Sequence, residues 1–429
     1  MKKCLVFLTK TFPFGTGEEF IENELPVLAR EFDKIILIAT SAADGAEKTR
    51  RVTKNTEVYA IPASAVSRAV KAAAVRNCFV CPAEFREERR TDGAVGVPLR
   101  RLYFSYFLAK GTTVAEKAAA ILAKTDVGSY DAITFYSYWF YDTAFAALQL
   151  KRNCRAAHTA VFSRAHGYDL YPERNPSGYL PLRPYLLKNL DGVFPCSEHG
   201  CHYLKKTYPA FRDKVTTAYL GTSDFGVGPT GGSPFRIVSC CHLVPLKRVD
   251  LLAKALALLA EDGLALEWTH FGGGPGLEEL KAYASSSLGF MKYSFPGEVR
   301  NGKLMQFYRE TPVDLFVNTS SSEGLPVSIM EACSFGIPIL ATNVGGTGET
   351  VKNGLNGFLL PADVTPELLA GKIREICRMP ADKQSSLHAS SRKIWENGFN
   401  AAANYAAFAK AISPADLNFN GETPVSPRA

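Results

Sequence analysis

Short apolar runs alternate with longer amphipathic stretches along most of this chain, and one stretch breaks the alternation. An apolar run of about four to eight residues bounded by turn residues reads as a strand buried on both faces. Helical periodicity between two such runs reads as the crossover of a parallel βαβ unit. Leu5–Thr9 reads as the first strand, followed by a helix over Phe20–Glu31 with Phe20, Ile21, Leu25 and Leu28 inward, then a strand over Lys34–Ala39. Ala132–Tyr136, Ala160–Phe162, Gly192–Pro195 and Val215–Tyr219 continue the strands. The break is Gly221–Pro234, rich in glycine, proline and serine, which reads as a linker. Beyond it come a strand at Phe235–Cys240, a helix at Val249–Glu261, and strands at Ala265–Phe271, Leu315–Asn318 and Pro338–Ala341.

The pattern predicts an α/β protein of two Rossmann-like, doubly wound domains facing across a cleft. The expected boundaries are 1–222 for the first domain, 223–234 for the linker and 235–395 for the second domain. Residues 396–429 hold a helix over Phe399–Ile412 that crosses back to the first domain, with Phe399, Tyr405, Phe408 and Ala411 on one face. A length of 429 residues suits two domains. With 46% hydrophobic and 21% charged residues the chain buries a core rather than staying disordered. The excess of 49 Lys and Arg over 42 Asp and Glu, +7, is too small to indicate nucleic acid as a partner. No apolar run approaches a membrane span, and Cys4–Leu8 is shorter than the core of a secretion signal. The expectation is a cytoplasmic protein whose first strand starts there.

Ten cysteines lie scattered through apolar contexts, as expected for buried thiols in a reducing compartment. Cys78 and Cys81 form one C-x-x-C without a second pair. Cys196, His199, Cys201 and His202 crowd together, but adjacent residues do not readily face one tetrahedral ion, so no metal site is expected.

The densest chemical signal runs from Asn318 to Glu331. A strand ends at Asn318, a polar loop carries Glu323, and Pro326 suits the first turn of a helix. The N–H groups of Gly324, Leu325, Val327 and Ser328 would then point out of a helix N-terminus, where anions such as a diphosphate bind. Glu331, a turn further in, could accept from paired hydroxyls. A plain βα unit with a solvated Glu331 fits the same spacing. Gly272-Gly-Gly-Pro-Gly276 follows a strand, yet Leu277 stands where a dinucleotide fingerprint needs its third glycine, which disfavours a dehydrogenase.

The Glu323/Glu331 pair, with Phe335-Gly-Ile-Pro-Ile-Leu-Ala-Thr-Asn-Val-Gly-Gly-Thr-Gly-Glu349 and Asn353-Gly-Leu-Asn-Gly357 after it, resembles the sugar-donor signature of family 4 glycosyltransferases. Phe271-Gly272-Gly-Gly274-Pro275, His242-Leu-Val-Pro-Leu-Lys247, Thr11-Phe-Pro-Phe-Gly-Thr-Gly-Glu18 and Arg164-Ala-His166-Gly-Tyr-Asp169 extend the likeness over most of the chain. The resemblance implies a GT-B fold and retaining transfer of a sugar from a nucleotide diphosphate sugar, without metal or other cofactor. It implies a saccharide or lipid-linked acceptor in cell-surface polysaccharide biosynthesis. On that basis Glu331 holds the ribose hydroxyls, Glu323 sits beside the transferred sugar, and Lys247 contacts the diphosphate. Gly324, Leu325, Pro326 and Val327 line the phosphates, and Gly272 and Gly274 line the nucleotide pocket. Gly15 and Gly17 let a loop of the first domain approach closely, and His166 faces the sugar. A solvated Lys247 and a core His166 beside Tyr168 are the structural alternatives.

One departure from the family is His242, where an Arg usually precedes the phosphate Lys by five residues; imidazole lacks the guanidinium fork, and the adjacent Arg248 is a substitute cation. No Asp-x-Asp accompanies the pocket, as a metal-held sugar diphosphate would need. Nucleotide-sugar epimerisation on the same scaffold and non-catalytic sugar-nucleotide binding are the rival functions. The paired-glutamate block argues against the first, and retention of both acids against the second. Between Ser64 and Lys124 eleven basic residues face five acids, a local +6. Tyr103, Phe104, Tyr106 and Phe107 are interleaved with Arg100 and Arg101, so this helix reads either as an anionic-membrane contact at the inner face of the cell membrane or as a buried helix with solvated basic flanks.

Overall fold

The computed structural model describes residues 1–15, 17–79, 82, 85–86, 90 and 97–414. They group into two compact units: residues 1–219 with the chain from Ala402 on, and residues 220–401.

In unit 1 the elements run β1 (Lys3–Thr9), α1 (Ile21–Glu31), β2 (Lys34–Ala42), β3 (Thr56–Pro62), α2 (Ala63–Phe79), α3 (Pro98–Leu122), β4 (Ala132–Ser137), α4 (Asp142–Arg152), β5 (His158–Ala165), α5 (Arg183–Asn189), β6 (Gly192–Pro195) and α6 (Glu198–Thr207). Unit 2 holds β7 (Phe235–Cys240), α7 (Val249–Ala257), β8 (Leu266–Phe271), α8 (Leu277–Ser287), β9 (Lys292–Gly297), α9 (Asn301–Glu310), β10 (Leu315–Asn318), α10 (Val327–Ser334), β11 (Ile339–Thr342), α11 (Thr347–Thr350), β12 (Gly357–Leu360), α12 (Pro366–Cys377) and α13 (Ala381–Gly398). α14 (Ala401–Ala411) returns the chain to unit 1.

Each unit carries a six-stranded parallel sheet, in the order β3-β2-β1-β4-β5-β6 in unit 1 and β12-β11-β10-β7-β8-β9 in unit 2. Both are doubly wound, with the winding reversing between β1 and β4 and between β7 and β10. Alternate residues of β1 show how the sheet is buried: Cys4, Val6 and Leu8 enter one core, Leu5 and Phe7 the other. α14 closes the second core with Phe408 and Ala409, and Ile412 just past its end joins them.

The inner strands lie where the apolar runs predict. Three edge strands lie outside that prediction: β3 and β12 hold only short apolar runs, at 58–61 and 358–360, and β9 is exposed or half-buried throughout. The expected strand at Val215–Tyr219 is reduced to one bridge from Val215 to Val193, with Thr216 N donating to Val193 O at 3.1 Å and Ala218 N to Pro195 O at 2.9 Å. The helix expected over Val249–Glu261 stops at Ala257, and tight turns lead to Gly263 at φ 67°. The stretch read as a linker is no free tether, since Asp224 pairs with Arg392 at 2.8 Å and Gly228 N donates to Phe335 O at 3.0 Å.

In the basic window the aromatics divide between core and surface. Phe104, Phe107 and Leu108 are core residues, Lys110 is ion-paired to Asp142 at 3.0 Å, and Tyr103 Oη accepts from Asn175 at 2.7 Å. Of the four aromatics only Tyr106 is exposed. Glu84, Glu87, Glu88, Arg89, Asp92 and Cys81 lie outside the described residues, as do the side chains of Arg68, Arg76 and Cys78. The eight described cysteines are free thiols. Cys196 and Cys201 are buried, and His199 Nδ1 meets Tyr171 Oη at 2.6 Å. No described helix is long and apolar enough to cross a membrane.

Candidate functional site

In a doubly wound sheet the loops at the carboxyl ends of the two strands flanking the reversal splay apart and leave a crevice. In unit 2 those loops are 241–248 after β7 and 319–326 after β10. They hold most of the residues singled out above. Each loop is braced by its neighbour. Ser321 N donates to Leu246 O at 2.8 Å, and Thr319 Oγ1 donates to the carbonyls of Lys247 and Arg248 at 3.0 and 2.9 Å. The loop after β8 packs just as closely. A Cβ on Gly272, at φ 140°, would lie 1.9 Å from Cys241 O, and one on Gly274, at φ 133°, would lie 2.8 Å from Leu243 O. Those two glycines are required by backbone approach.

At the centre Lys247 Nζ lies 2.7 Å from Glu323 Oε1. The buried Glu323 carboxylate also accepts from Ser320 Oγ at 2.6 Å and Asn318 Nδ2 at 3.2 Å. The two residues assigned separately to diphosphate and sugar are thus paired with each other. Gly324, Leu325 and Pro326 form the turn that follows. Pro326 is the N-cap of α10 at φ −75°, ψ 110°, so the helix opens one residue later than expected, at Val327. A helix leaves its first N–H groups without internal acceptors, and here they face the end of the loop that carries Glu323. Gly345, at φ 53°, packs so closely that a Cβ there would lie 2.0 Å from Glu323 O.

Glu331 is half-buried one turn into α10, its Oε1 accepting from Asn301 Nδ2 at 2.6 Å. Burial pushes its carboxyl up to about 7, opposed only in part by Asn301. His242 is exposed beside Gly274. Arg248 is not a substitute cation: it adopts a left-handed backbone at φ 47°, and its guanidinium donates to the carbonyls of Thr319, Ala362 and Ser320 at 2.8, 2.7 and 3.2 Å. It ties the loops together instead. Among the described residues no group of three or more His, Cys, Asp or Glu converges as a metal site would require.

The remaining candidates belong to unit 1, at the carboxyl end of its sheet. Gly15 and Gly17 lie in the loop after β1, and Gly17 is held at φ 80°. His166 follows β5, its ring 4.6 Å from Tyr138 and 4.7 Å from Trp139. Asp169 fixes that turn by accepting from His166 N at 2.8 Å and Phe140 N at 2.9 Å. Burial raises the Asp169 carboxyl, but the bonds from His166 outweigh it and hold it below the usual range.

Sequence reasoning missed the residue that shapes the β1 loop. Glu18 is buried, takes φ 58°, and accepts from the backbone N–H of Lys10, Thr11 and Phe12, each at 2.8 Å, and from Trp139 Nε1 at 2.7 Å. Its left-handed conformation beside Gly17 leaves no local periodicity to read. It missed Asn301 too, 30 positions from its partner Glu331.

The family model for Glycosyl transferases group 1 matches residues 224–394. The chain is 24% identical over 243 residues to WcaL of Escherichia coli K12, named as a colanic acid biosynthesis glycosyltransferase, covering 55% of this chain and 59% of WcaL. It is 25% identical over 305 residues to a GDP-mannose-dependent phosphatidylinositol monomannoside mannosyltransferase of Mycobacterium tuberculosis, covering 64% of this chain and 75% of that one. Among solved structures, Anabaena Alr3699/HepE in complex with UDP-glucose aligns with a TM-score of 0.63 at 17% identity, over 96% of this chain and 99% of that one. At such identity the likeness shows the fold, GT-B.

Proposed function

We propose, for a chain whose residues 224–394 belong to the group 1 glycosyl transferases, that it moves a sugar from a nucleotide diphosphate sugar to a saccharide or lipid-linked acceptor in surface polysaccharide or glycolipid synthesis. The observation that carries this reading is the Lys247–Glu323 pair at the mouth of the β7/β10 crevice, against the start of α10. As the bond from the anomeric carbon to the diphosphate breaks, negative charge gathers on the leaving oxygens. Lys247 and the first amides of α10 are positioned in advance to stabilise it. With those cationic and amide groups supplying the charge, this reading has the transfer run without a metal. Glu323 lies beside the transferred sugar and Glu331 accepts from the ribose hydroxyls. The acceptor oxygen joins the anomeric carbon on the face the diphosphate leaves, so configuration is retained. In unit 1, His166 and the Gly15–Gly17 loop belong to the acceptor-binding surface. The GDP-mannose in the name of the mycobacterial relative, and the UDP-glucose held by HepE, support the donor class.

Glu331 supplies the test. A carboxyl lifted to about 7 is largely protonated below neutrality and accepts two hydroxyls only when ionised. Uridine and guanosine diphosphate are therefore expected to bind wild type more tightly at about pH 8 than at about pH 6, with EDTA present throughout. Glu331→Gln should bind more weakly and lose the part of the pH dependence that wild type adds to the phosphate's own titration. Equal affinity and an identical pH profile for both proteins, read by calorimetry, refute the ribose assignment. Binding that needs magnesium or manganese refutes metal independence.

The second partner in this reading is an anionic membrane surface. On the outer side of α2 and α3, Val75, Phe79, Leu99 and Leu102 are 52 to 81% exposed, and a cavity of about 390 Å³ there includes exposed Lys71. Apolar side chains flanked by cations suit acidic headgroups over a shallow acyl boundary. Wild type is expected to co-sediment with phosphatidylglycerol-rich vesicles at low salt, less so at high salt. Leu99→Ser/Leu102→Ser should sediment several-fold less. If wild type stays in the supernatant at low salt, this face is merely solvated.

A further inference from the structure

Outside the unit 2 site, the most unusual arrangement of charge is at the carboxyl end of the unit 1 sheet, where β1, β4 and β5 end beside the reversal point. Lys10 is half-buried, and its Nζ lies 4.2 Å from the ring centre of Tyr168, 5.3 Å from Trp139 and 5.9 Å from Tyr141. No carboxylate comes within 4.0 Å of it among the described residues. The nearby acids are all engaged: Glu18 by three backbone N–H groups and Trp139, Asp169 by His166 N and Phe140 N, and Asp142 by Lys110 at 3.0 Å. Burial draws the Lys10 ammonium below the usual lysine range, as expected for a cation that has lost water and found no anion. The same wall holds Tyr168 Oη and His166 Nε2, buried and without hydrogen-bond partners, while His166 Nδ1 lies 3.8 Å from Asp169 Oδ2.

A cation held by ring faces alone gains far less from them than a paired anion returns. The ring faces themselves suit the C–H face of a sugar. We infer that this wall of unit 1 binds a saccharide carrying an anionic group, with Lys10 as its counter-ion and Trp139 as its stacking platform. The inference deepens the transferase reading by naming the acceptor class, and its test leaves unit 2 untouched.

The chain has three tryptophans, and Trp268 and Trp395 are fully buried, so ligand-dependent fluorescence reports Trp139. Titrations use methyl glucuronide, glucose 1-phosphate, methyl glucoside and inorganic phosphate. A uronate and a sugar phosphate share the required chemistry, and the first two arms tell them apart. At least one is expected to bind about 10- to 100-fold more tightly than methyl glucoside, the effect of one charged hydrogen bond. The preference should weaken with salt, vanish in Lys10→Met, which still fills the aromatic cage, and persist in Lys10→Arg. Nucleoside diphosphate binding to Lys10→Met checks that the variant is folded, and its loss from wild type would count against the transferase reading alone. Equal binding of neutral and anionic glycosides, a preference that survives in Lys10→Met, or inorganic phosphate matching glucose 1-phosphate overturns the inference.

Discussion

Lys247→Ala is expected to lower turnover roughly 10- to 150-fold, the equivalent of one charged hydrogen bond of about 1.5–3 kcal/mol lost as the diphosphate departs. The loss should not be made good from nearby. Arg248 is committed to three carbonyls, and exposed His242 lacks a second donor in a fixed fork. The melting temperature should move little, because the buried Glu323 carboxylate keeps Ser320 Oγ and Asn318 Nδ2 as donors once Lys247 is gone. Steady-state kinetics with the nucleotide sugar that binds, alongside calorimetric melting, separates the two effects. Full activity of Lys247→Ala would remove it from the reaction. A large loss of melting temperature would make it a structural residue.

Arg164→Met should destabilise unit 1 far more than any change at the unit 2 site destabilises its own unit. Arg164 and Glu24 are both fully buried, with Nε 3.2 Å from Oε2. Tyr136 Oη donates to Glu24 at 2.7 Å, Arg164 Nη1 donates to Ala218 O at 2.7 Å, and the guanidinium lies 4.0 Å from the ring of Phe408 on α14. Removing the arginine leaves a carboxylate in the core with one hydroxyl for company. Breaking a buried pair in this way costs about 3–5 kcal/mol, which at about 2–4 °C per kcal/mol shifts the melting of unit 1 down by roughly 6–20 °C. The double variant Arg164→Met/Glu24→Gln should recover much of that, since no charge is left uncompensated. A single variant that melts like wild type, or a double variant worse than the single, would show that the pair does not govern this core.

Where the sequence could be read depended on where the information is stored. Strands such as β1 and β2 are buried on both faces, so their runs of Leu, Val, Ile and Phe identify them without reference to any neighbour. Edge strands satisfy one side only, and Lys292–Gly297 carries lysine, serine and proline that resemble a loop. α3 stayed open between two readings for a different reason: its aromatics sit among basic residues, and spacing alone does not tell that Phe104 and Phe107 turn inward while leucines at its start stay out. In the site, Glu323 and Glu331 stood out because one βα loop and the start of its helix hold both, whereas Lys247, 76 positions from Glu323, stood out only through the family resemblance. The Lys10 wall joins residues from three strand ends, with Glu18 reaching Trp139 across 121 positions. No local spacing encodes that.

The two places where the chain passes between units lie side by side. Thr222 N donates to Phe399 O at 3.0 Å, Ala401 N donates to Thr222 O at 3.1 Å, and a Cβ on Gly221 would lie 2.5 Å from Ala401 N. Trp395, fully buried, adds its indole N–H to Thr222 Oγ1 at 2.7 Å. Residues 220–401 therefore begin and end at one stapled point, which makes unit 2 in topological terms an insertion between the body of unit 1 and its last helix. A module with adjoining ends can be cut out, permuted or exchanged without drawing a long loop across its own surface. Evolution could thus replace unit 2 independently of unit 1, provided that Gly221 and the opposing backbone keep their contact.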